Sequence, residues 1–245
     1  MKSSLHPIGD LQTDAAVGLS YRIRQPVPLN PAKCVVLLHG VGGNETNLID
    51  IAAGIDPDTL VVFPRGPLQL GAQQFAWFRV MFTPAGPSIV AEEAERSREA
   101  LIHFVAQLQL RYGITAKNTV IAGFSQGGIL SASVALTAPE SVAGFALLSG
   151  RILPELEPRL ASKERLAKLK GFIGHGEHDS KLPVHWAHRS DKLLSELGVD
   201  HLLRLYPMDH GISAGMHADF LNWMASLGSP SSPGLTIRRS ALWGT

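Results

Sequence analysis

The residue best suited to covalent chemistry in this sequence is a serine that stands between two glycines. Ser125 lies in Gly123-Phe124-Ser125-Gln126-Gly127, which matches G-x-S-x-G, a pattern whose small residues let the chain turn sharply and expose the hydroxyl. A strand-like run (119–122) precedes the turn, and a helix-like run rich in small residues (128–136) follows it. Strand, turn and helix in this order predict a nucleophilic serine rather than a simple glycine-rich turn.

Two residues downstream of Ser125 have the types that would activate its hydroxyl. A serine needs a base to take its proton and a carboxylate to orient that base, and the fold that carries this motif places them in the chain order Ser, acid, His. Asp179 follows a predicted strand (171–174), and His210 follows another (201–206). We therefore predict Asp179 as the acid and His210 as the base, because open α/β sheets place their sites at such strand ends.

Other acids and histidines compete for these roles. Glu177 is two residues from Asp179 and is the alternative acid. His217 is the weaker alternative base, because it falls inside a predicted helix. His175 precedes both candidate acids and His178 precedes Asp179, so we expect the two histidines to form hydrogen bonds within their own loop.

Acyl transfer also requires donors for the negative charge that develops on the carbonyl oxygen. The backbone N–H of Gln126, directly after the nucleophile, is one expected donor. The second is expected from the loop Leu38-His39-Gly40-Val41-Gly42-Gly43-Asn44, where we choose Val41. A tight glycine turn that leads into a helix explains the same loop and is compatible with this role.

Strand-like and helix-like segments alternate through the chain, which predicts an α/β protein with a mostly parallel central sheet and helices on both faces. With the serine motif, this becomes the α/β-hydrolase fold. The strand candidates are 19–24, 34–38, 59–63, 118–122, 142–148, 171–174 and 201–206. Helices besides 128–136 are predicted at 90–112, 184–197 and 214–227.

The segment 64–89 breaks this alternation and is expected to be a long loop that contributes to the binding site. Its aromatic residues have an alternative interpretation as a small cluster packed beneath the loop. We predict that apolar residues near the strand ends form the substrate pocket, namely Trp77, Phe78, Met81, Ile152, Leu153 and Leu182.

Charge and hydropathy exclude several classes of partner. Lys and Arg (22) nearly balance Asp and Glu (21), and a net charge of +1 creates no field that would collect nucleic acid or an anionic membrane surface. The chain has no apolar run of about 18 residues that could cross a bilayer, and its first residues lack the apolar core of a signal peptide. We expect a cytoplasmic protein with a small-molecule substrate.

The length of 245 residues, 45% of them hydrophobic, predicts one α/β domain over 1–228. A Ser- and Pro-rich stretch opens a flexible C-terminal tail, 229–245. The single cysteine, Cys34, lies in an apolar run and is expected to be a buried, inert thiol.

Four motifs in order resemble those of the phospholipase/carboxylesterase family, which includes acyl-protein thioesterases and bacterial carboxylesterases. They are the glycine-rich loop 38–43, the serine motif 123–128, the segment 175–179 and the segment 208–211. The resemblance covers about residues 15–227. It implies a single-domain enzyme, often a homodimer, that needs no cofactor or metal and hydrolyses esters or thioesters of modest acyl chains.

The resemblance also implies the same roles for Ser125, Asp179 and His210, with Val41 and Gln126 as donors. Two positions differ from the acyl-protein thioesterases, because Gly43 and Arg79 each stand where an acidic residue is expected in that group. At Gly43 the sequence is more similar to the bacterial esterases. We expect a serine carboxylesterase acting on short to medium acyl chains. The alternatives are a thioesterase or lysophospholipase with the same triad, and a non-catalytic binding protein on this fold.

Overall fold

The structure is a computed structural model that describes residues 7–83 and 86–227. The predicted tail, 229–245, lies outside the described residues, and the domain boundary at 228 stays a prediction. Eleven strands lie in these ranges: β1 Tyr21–Ile23, β2 Lys33–Leu38, β3 Thr59–Pro64, β4 Leu68–Gly71, β5 Gln74–Ala76, β6 Val80–Thr83, β7 Gly86–Ile89, β8 Thr119–Phe124, β9 Gly144–Leu148, β10 Lys170–Gly176 and β11 Asp200–Tyr206.

The α-helices of the described residues are α1 Ala91–Tyr112, α2 Gln126–Thr137, α3 Lys163–Leu166, α4 His185–Leu197 and α5 Ala214–Ser226. Short 3-10 helices lie at Ile49–Ala52, Ala116–Asn118, Pro139–Ser141 and Pro154–Arg159. Gly113 and Gly198 end α1 and α4 in the left-handed conformation, as the sequence predicts. None of the helices in the described ranges has the length and hydropathy needed to cross a membrane.

Seven strands form the central sheet in the order β1-β3-β2-β8-β9-β10-β11. All neighbours are parallel except β1, which pairs antiparallel with β3. The predicted mostly parallel sheet and the α/β-hydrolase fold are confirmed. Because the parallel strands run the same way, the residues that follow β2, β8, β10 and β11 meet at one edge of the sheet.

Both faces of the sheet are buried, so successive residues of a strand enter two different cores. In β2, Val36 and Leu38 join the core that contains α1, α2 and α4 residues, whereas Val35 and Leu37 join the core beneath α5. This explains why the central strands are continuous apolar runs rather than alternating ones. Cys34 is buried in the first core, as predicted, and burial raises the pKa of its thiol to about 12.

The segment 64–89, which the sequence predicts as a long loop, contains two short hairpins. Strands β4 and β5 pair antiparallel with an irregularity between Gln69 and Gly71, and β6 pairs antiparallel with β7. These strands have three or four residues each and lie outside the main sheet. Strands this short lack the long apolar runs by which the central strands are recognised in the sequence.

Candidate active site

Ser125 stands at a sharp turn between β8 and α2, at the edge where the parallel strands end. Its φ of 53° and ψ of −115° belong to a region that L-residues rarely adopt. Backbone hydrogen bonds hold the turn, because Ser125 N–H donates to Leu148 O at 2.8 Å and Ile129 N–H donates to Ser125 O at 3.0 Å. The hydroxyl therefore projects from the sheet into an adjoining cavity.

The glycines of the serine motif are required by close backbone contacts. A Cβ on Gly123 would lie 2.3 Å from the carbonyl carbon of Gly127. A Cβ on Gly127 would lie 2.1 Å from the carbonyl oxygen of Leu38 in the neighbouring strand. No side chain fits at either position, so the motif reflects the packing of α2 against β2 and β8.

A chain of hydrogen bonds joins the three residues predicted to form the triad. His210 Nε2 lies 3.0 Å from Ser125 Oγ, and His210 Nδ1 lies 2.7 Å from Asp179 Oδ2. Because a carboxylate only accepts hydrogen bonds, Nδ1 carries the imidazole proton and Nε2 is left to accept from the serine hydroxyl. The arrangement can remove a proton from Ser125 as its oxygen attacks a carbonyl carbon.

The carboxylate of Asp179 is fixed by backbone donors as well as by the histidine. Its Oδ1 accepts from the N–H groups of Lys181 and Leu182, at 2.9 and 2.7 Å. The side chain is buried, which removes competing water from the bond to His210. Asp179 thus faces the imidazole through one oxygen only.

Two residues that the sequence analysis missed hold the His210 loop. Asp209 Oδ1 accepts from the N–H groups of Ser180 and His210, each at 2.7 Å, and these bonds lower the pKa of Asp209 to about 2. Ser149 Oγ donates to Gly211 O at 2.8 Å. Asp209 is adjacent to the predicted base and could have been noticed, whereas nothing in the sequence distinguishes Ser149 from an ordinary turn serine.

The two predicted oxyanion donors lie beside the nucleophile. Val41 and Gln126 line the same cavity as Ser125, and Gln126 begins α2, where the first N–H groups have no partner within the helix. Within the described residues, neither N–H donates to another group, whereas Gly42 and Gly43 next to Val41 are hydrogen-bonded. Two free donors at this place can stabilise a tetrahedral oxyanion.

The side chain of Gln126 has a second function that the sequence analysis did not foresee. Its Oε1 accepts from Trp77 N–H at 2.7 Å, and its Nε2 donates to Phe78 O at 2.6 Å. Gln126 is buried, so both bonds are shielded from water. They attach the segment between β5 and β6 to the turn that carries the nucleophile.

His39 supports the glycine-rich loop through both of its ring nitrogens. Its Nδ1 donates to Gly40 O at 2.7 Å, and its Nε2 accepts from Gly66 N–H at 2.9 Å. Burial lowers the pKa of His39, which favours this neutral form. Trp77 Nε1 donates to His39 O at 3.0 Å, so the indole is a buried support of the same loop.

The cavity next to Ser125 has a volume of about 310 Å³ and is mostly apolar. Two of the predicted pocket residues, Phe78 and Leu182, line it. Its described lining residues are Gly40, Val41, Phe78, Val80, Ile89, Phe124, Ser125, Gln126, Ile129, Arg151, Lys181, Leu182 and His210. The ring of Phe124 packs against the imidazole of His210, with centroids 4.9 Å apart.

The other four predicted pocket residues lie elsewhere. Trp77 is fully buried behind the wall, and Met81 is 57% exposed on the β6–β7 hairpin. Ile152 and Leu153 are buried, and they line a different surface depression. The sequence places all four near strand ends, but it does not reveal which way each side chain points.

The rival catalytic residues are also placed away from the nucleophile. Glu177 and His178 are exposed, and His217 on α5 hydrogen-bonds Ile51 O at 3.0 Å. His175 is buried, and its Nε2 donates to Leu182 O at 2.7 Å. Burial lowers the pKa of His175, and its Nδ1 has no hydrogen-bond partner among the described residues.

The described part of the chain contains no recognisable metal-binding cluster. No group of three or more His, Cys, Asp or Glu side chains in those ranges is arranged to hold a metal ion. That the protein needs no cofactor stays a prediction.

Comparisons with known proteins identify similar sequences and structures. The sequence profile described as Phospholipase/Carboxylesterase matches residues 25–226. Acyl-protein thioesterase 1 of Kluyveromyces lactis is 28% identical over 188 residues, which cover 71% of this chain and 82% of the relative.

Among solved structures, a carboxylesterase from Mesorhizobium loti is similar with a TM-score of 0.74 and 26% identity, covering 88% of this chain and 98% of that one. The Bacillus cereus carboxylesterase has a TM-score of 0.73 at 22% identity, over 87% of this chain and 96% of that one. At that lower identity the likeness shows the fold alone.

Proposed function

The chain belongs to the phospholipase/carboxylesterase family of hydrolases, and we propose that it is a serine carboxylesterase that forms an acyl-enzyme on Ser125. The observation that carries the proposal is the hydrogen-bond chain from Asp179 through His210 to Ser125 at the apolar cavity. The cavity volume of about 310 Å³ is at the small end of the range for small-molecule sites, about 300 to 1,000 Å³. This supports acyl chains of short to medium length.

In the first half of the reaction, Ser125 Oγ attacks the ester carbonyl carbon while His210 Nε2 takes the hydroxyl proton. The oxyanion of the tetrahedral intermediate accepts hydrogen bonds from the N–H groups of Val41 and Gln126. Asp179 keeps the imidazole in the correct tautomer and stabilises its charged form. When the C–O bond of the ester breaks, His210 gives the proton to the leaving alkoxide, and the acyl group remains on Ser125.

In the second half, water replaces the alcohol. His210 Nε2 removes a proton from the water as its oxygen attacks the acyl carbon, and the same two backbone donors bind the oxyanion. Collapse of this intermediate breaks the bond to Ser125 Oγ, which regains the proton from His210. The products are the carboxylic acid and the unchanged enzyme.

An acyl thioesterase activity is the second candidate, and the similarity to the Kluyveromyces lactis acyl-protein thioesterase 1 favours it. The triad chemistry is the same, because only the leaving group changes from alkoxide to thiolate. Lysophospholipid hydrolysis is a third use of the same residues. A non-catalytic binding role is disfavoured, because it does not require the hydrogen-bond chain that joins Asp179, His210 and Ser125.

The test is a panel of matched substrates, with acetyl, butyryl and octanoyl groups each presented as an oxygen ester and as a thioester. We expect the highest kcat/KM for an acetyl or butyryl oxygen ester and a loss of nearly all activity in Ser125→Ala. Ser195→Ala, on the exposed face of α4, is the matched control and should retain full activity. Activity in Ser125→Ala equal to that of the parent would refute the proposal. A preference of the parent enzyme for thioesters would instead identify it as an acyl thioesterase.

A homodimer and a cytoplasmic location belong to the proposal as expectations from the sequence and the family resemblance. Light scattering coupled to size-exclusion chromatography measures the mass directly. For a chain of 26.3 kDa, a dimer gives twice that mass, and a monomer peak at all concentrations would contradict it.

A further inference from the structure

A buried arginine lies at the catalytic cavity without a partner for its charge. Arg151 is only 7% exposed, and it lines the same cavity as Ser125 and His210. Within the described part of the chain, its guanidinium forms no hydrogen bond and no ion pair. Its nitrogens are not among the fully buried polar atoms that lack a partner, so they keep contact with the open cavity, where an anion can reach them.

The same protein shows how it satisfies a buried arginine that has a structural role. Arg24 is also 7% exposed, but its guanidinium donates to the carbonyl oxygens of five residues: Ala52, Ile55, Asp56, Pro57 and Thr59. Arg151 instead stacks on the ring of Trp186, with its Cζ 4.5 Å from the ring centroid. This contact orients the guanidinium plane and leaves its N–H donors without acceptors.

Arg151 keeps its positive charge in this cavity. Burial lowers the pKa of its guanidinium and Glu155 opposes this shift, but arginine stays protonated in proteins. The side chain of Glu155 is exposed, and its carboxylate lies more than 4.0 Å from the guanidinium nitrogens of Arg151, so the two do not form an ion pair. Lys181 lines the same cavity, so a second cation lies at the site, whereas no carboxylate is among its described lining residues.

We propose that Arg151 binds an anionic group of the substrate, so that the preferred ester carries a carboxylate or a phosphate in addition to the scissile bond. The inference rests on the proposed ester hydrolysis at Ser125. A guanidinium matches the two oxygens of such a group with two parallel N–H donors. The apolar walls formed by Phe78, Ile129 and Leu182 strengthen the interaction, because they exclude water.

Matched pairs of esters that differ only in the anion test this proposal. Monomethyl adipate against methyl hexanoate places the charge in the acyl portion, and 1-butyrylglycerol 3-phosphate against 1-butyrylglycerol places it in the alcohol portion. In the parent enzyme we expect kcat/KM to favour the anionic member of at least one pair by about 10- to 100-fold. The pair that shows the preference identifies which portion of the ester carries the anion.

Arg151→Met should abolish that preference, so that the anionic and the neutral member of the pair are hydrolysed with equal kcat/KM. Arg189→Met is the matched control, because Arg189 also stacks on Trp186, at 5.4 Å, but is exposed and outside the lining of the catalytic cavity. It should keep the preference.

Equal rates for both members of each pair in the parent enzyme would overturn the proposal, whether or not the variant folds. If Arg151→Met lowered the melting temperature and slowed all four esters alike, Arg151 would be a packing residue. The proposed function fails separately, if the parent hydrolyses none of the four esters.

Discussion

At Ser125 the backbone adopts a conformation that the surrounding structure must enforce. The residue has a positive φ, and its N–H and C=O are both hydrogen-bonded, to Leu148 and Ile129. Such strain persists only where neighbours over-determine the geometry. The position of the hydroxyl is therefore set by the main chain, and the imidazole of His210 is brought to it from the opposite side by Asp179, Asp209 and Ser149.

The choice between the two candidate acids is testable at the level of single residues. We predict that Asp179→Asn lowers kcat by about 10³- to 10⁴-fold, because the amide favours the wrong imidazole tautomer. Glu177→Gln should change kcat less than about threefold, since Glu177 is exposed and does not hydrogen-bond the imidazole. Steady-state kinetics on a butyryl ester measures both variants, and the reverse ranking would assign the acid role to Glu177.

The sequence alone brings out the three residues of the proposed triad, because each follows a recognisable strand end in a known order. It does not reveal Gln126 as a side-chain clamp, because the acceptor and donor that it binds are main-chain groups almost 50 residues away. The sequence also does not distinguish Arg151 from a surface arginine, because the burial of Arg151 depends on its contact with Trp186, which lies on α4. Residues whose role depends on remote backbone atoms leave no local pattern.

Among the elements, the β6–β7 hairpin and the residues just before it form one wall of the site. Phe78, Val80 and Ile89 reach the cavity from this segment. A bidentate contact of the Arg79 side chain with Glu93 of α1, and a bond from Arg79 N–H to the same carboxylate at 2.8 Å, attach the segment to the helix. Arg79 stands where the family resemblance leads us to expect an acidic residue, and here it attaches the cavity wall to α1.

The neighbouring aromatic residues Trp77 and Phe78 should respond differently to truncation. Phe78→Ala enlarges the cavity, so we expect kcat/KM to shift toward octanoyl and away from acetyl esters, a relative change of about 1 to 3 kcal/mol. Trp77→Ala removes a fully buried ring behind the wall and should destabilise the protein by about 3 to 5 kcal/mol while slowing all esters alike. Acyl-length profiles and thermal unfolding of both variants provide the measurement.

The reverse result for the two variants would contradict the assignment of Phe78 to the cavity lining and of Trp77 to the core behind it. A selectivity change in Trp77→Ala without loss of stability would mean that the indole reaches the substrate. Unchanged ratios in Phe78→Ala would remove Phe78 from the acyl pocket.

At the scale of the whole molecule, the parallel sheet brings together residues that are far apart in sequence. The strands that precede Ser125, Asp179 and His210 are β8, β10 and β11, and all three end at the same edge. This arrangement follows from the alternation of strands and helices, so it was predictable. The hairpins were not, because their short strands bury few apolar residues and depend on contacts with α1 and α2.

Two buried neutral histidines should make stability depend on pH. Burial lowers the pKa of His39 and His175 in the folded protein, whereas in the unfolded chain a histidine titrates near about 6.5. Above that pH both states are neutral and the full stability is present. As the pH falls below it, the unfolded chain takes up protons that the folded protein does not, so the free energy of unfolding decreases.

Urea unfolding at pH 7.5, 6.5 and 5.5 measures this decrease. His175→Gln retains a donor for Leu182 O and removes the titrating ring, so it should weaken the pH dependence. Stability that stays constant or rises over this range in the parent protein would show that neither histidine is held neutral.

The most direct test of the central claim is to identify the residue that becomes covalently modified. A fluorophosphonate ester reacts with an activated serine, and mass spectrometry of the intact protein and of its peptides locates the adduct. We predict one adduct, on Ser125, formed at a rate that falls by more than about 100-fold in His210→Gln and absent in Ser125→Ala. An adduct on any other residue, or undiminished labelling of Ser125→Ala, would contradict the account.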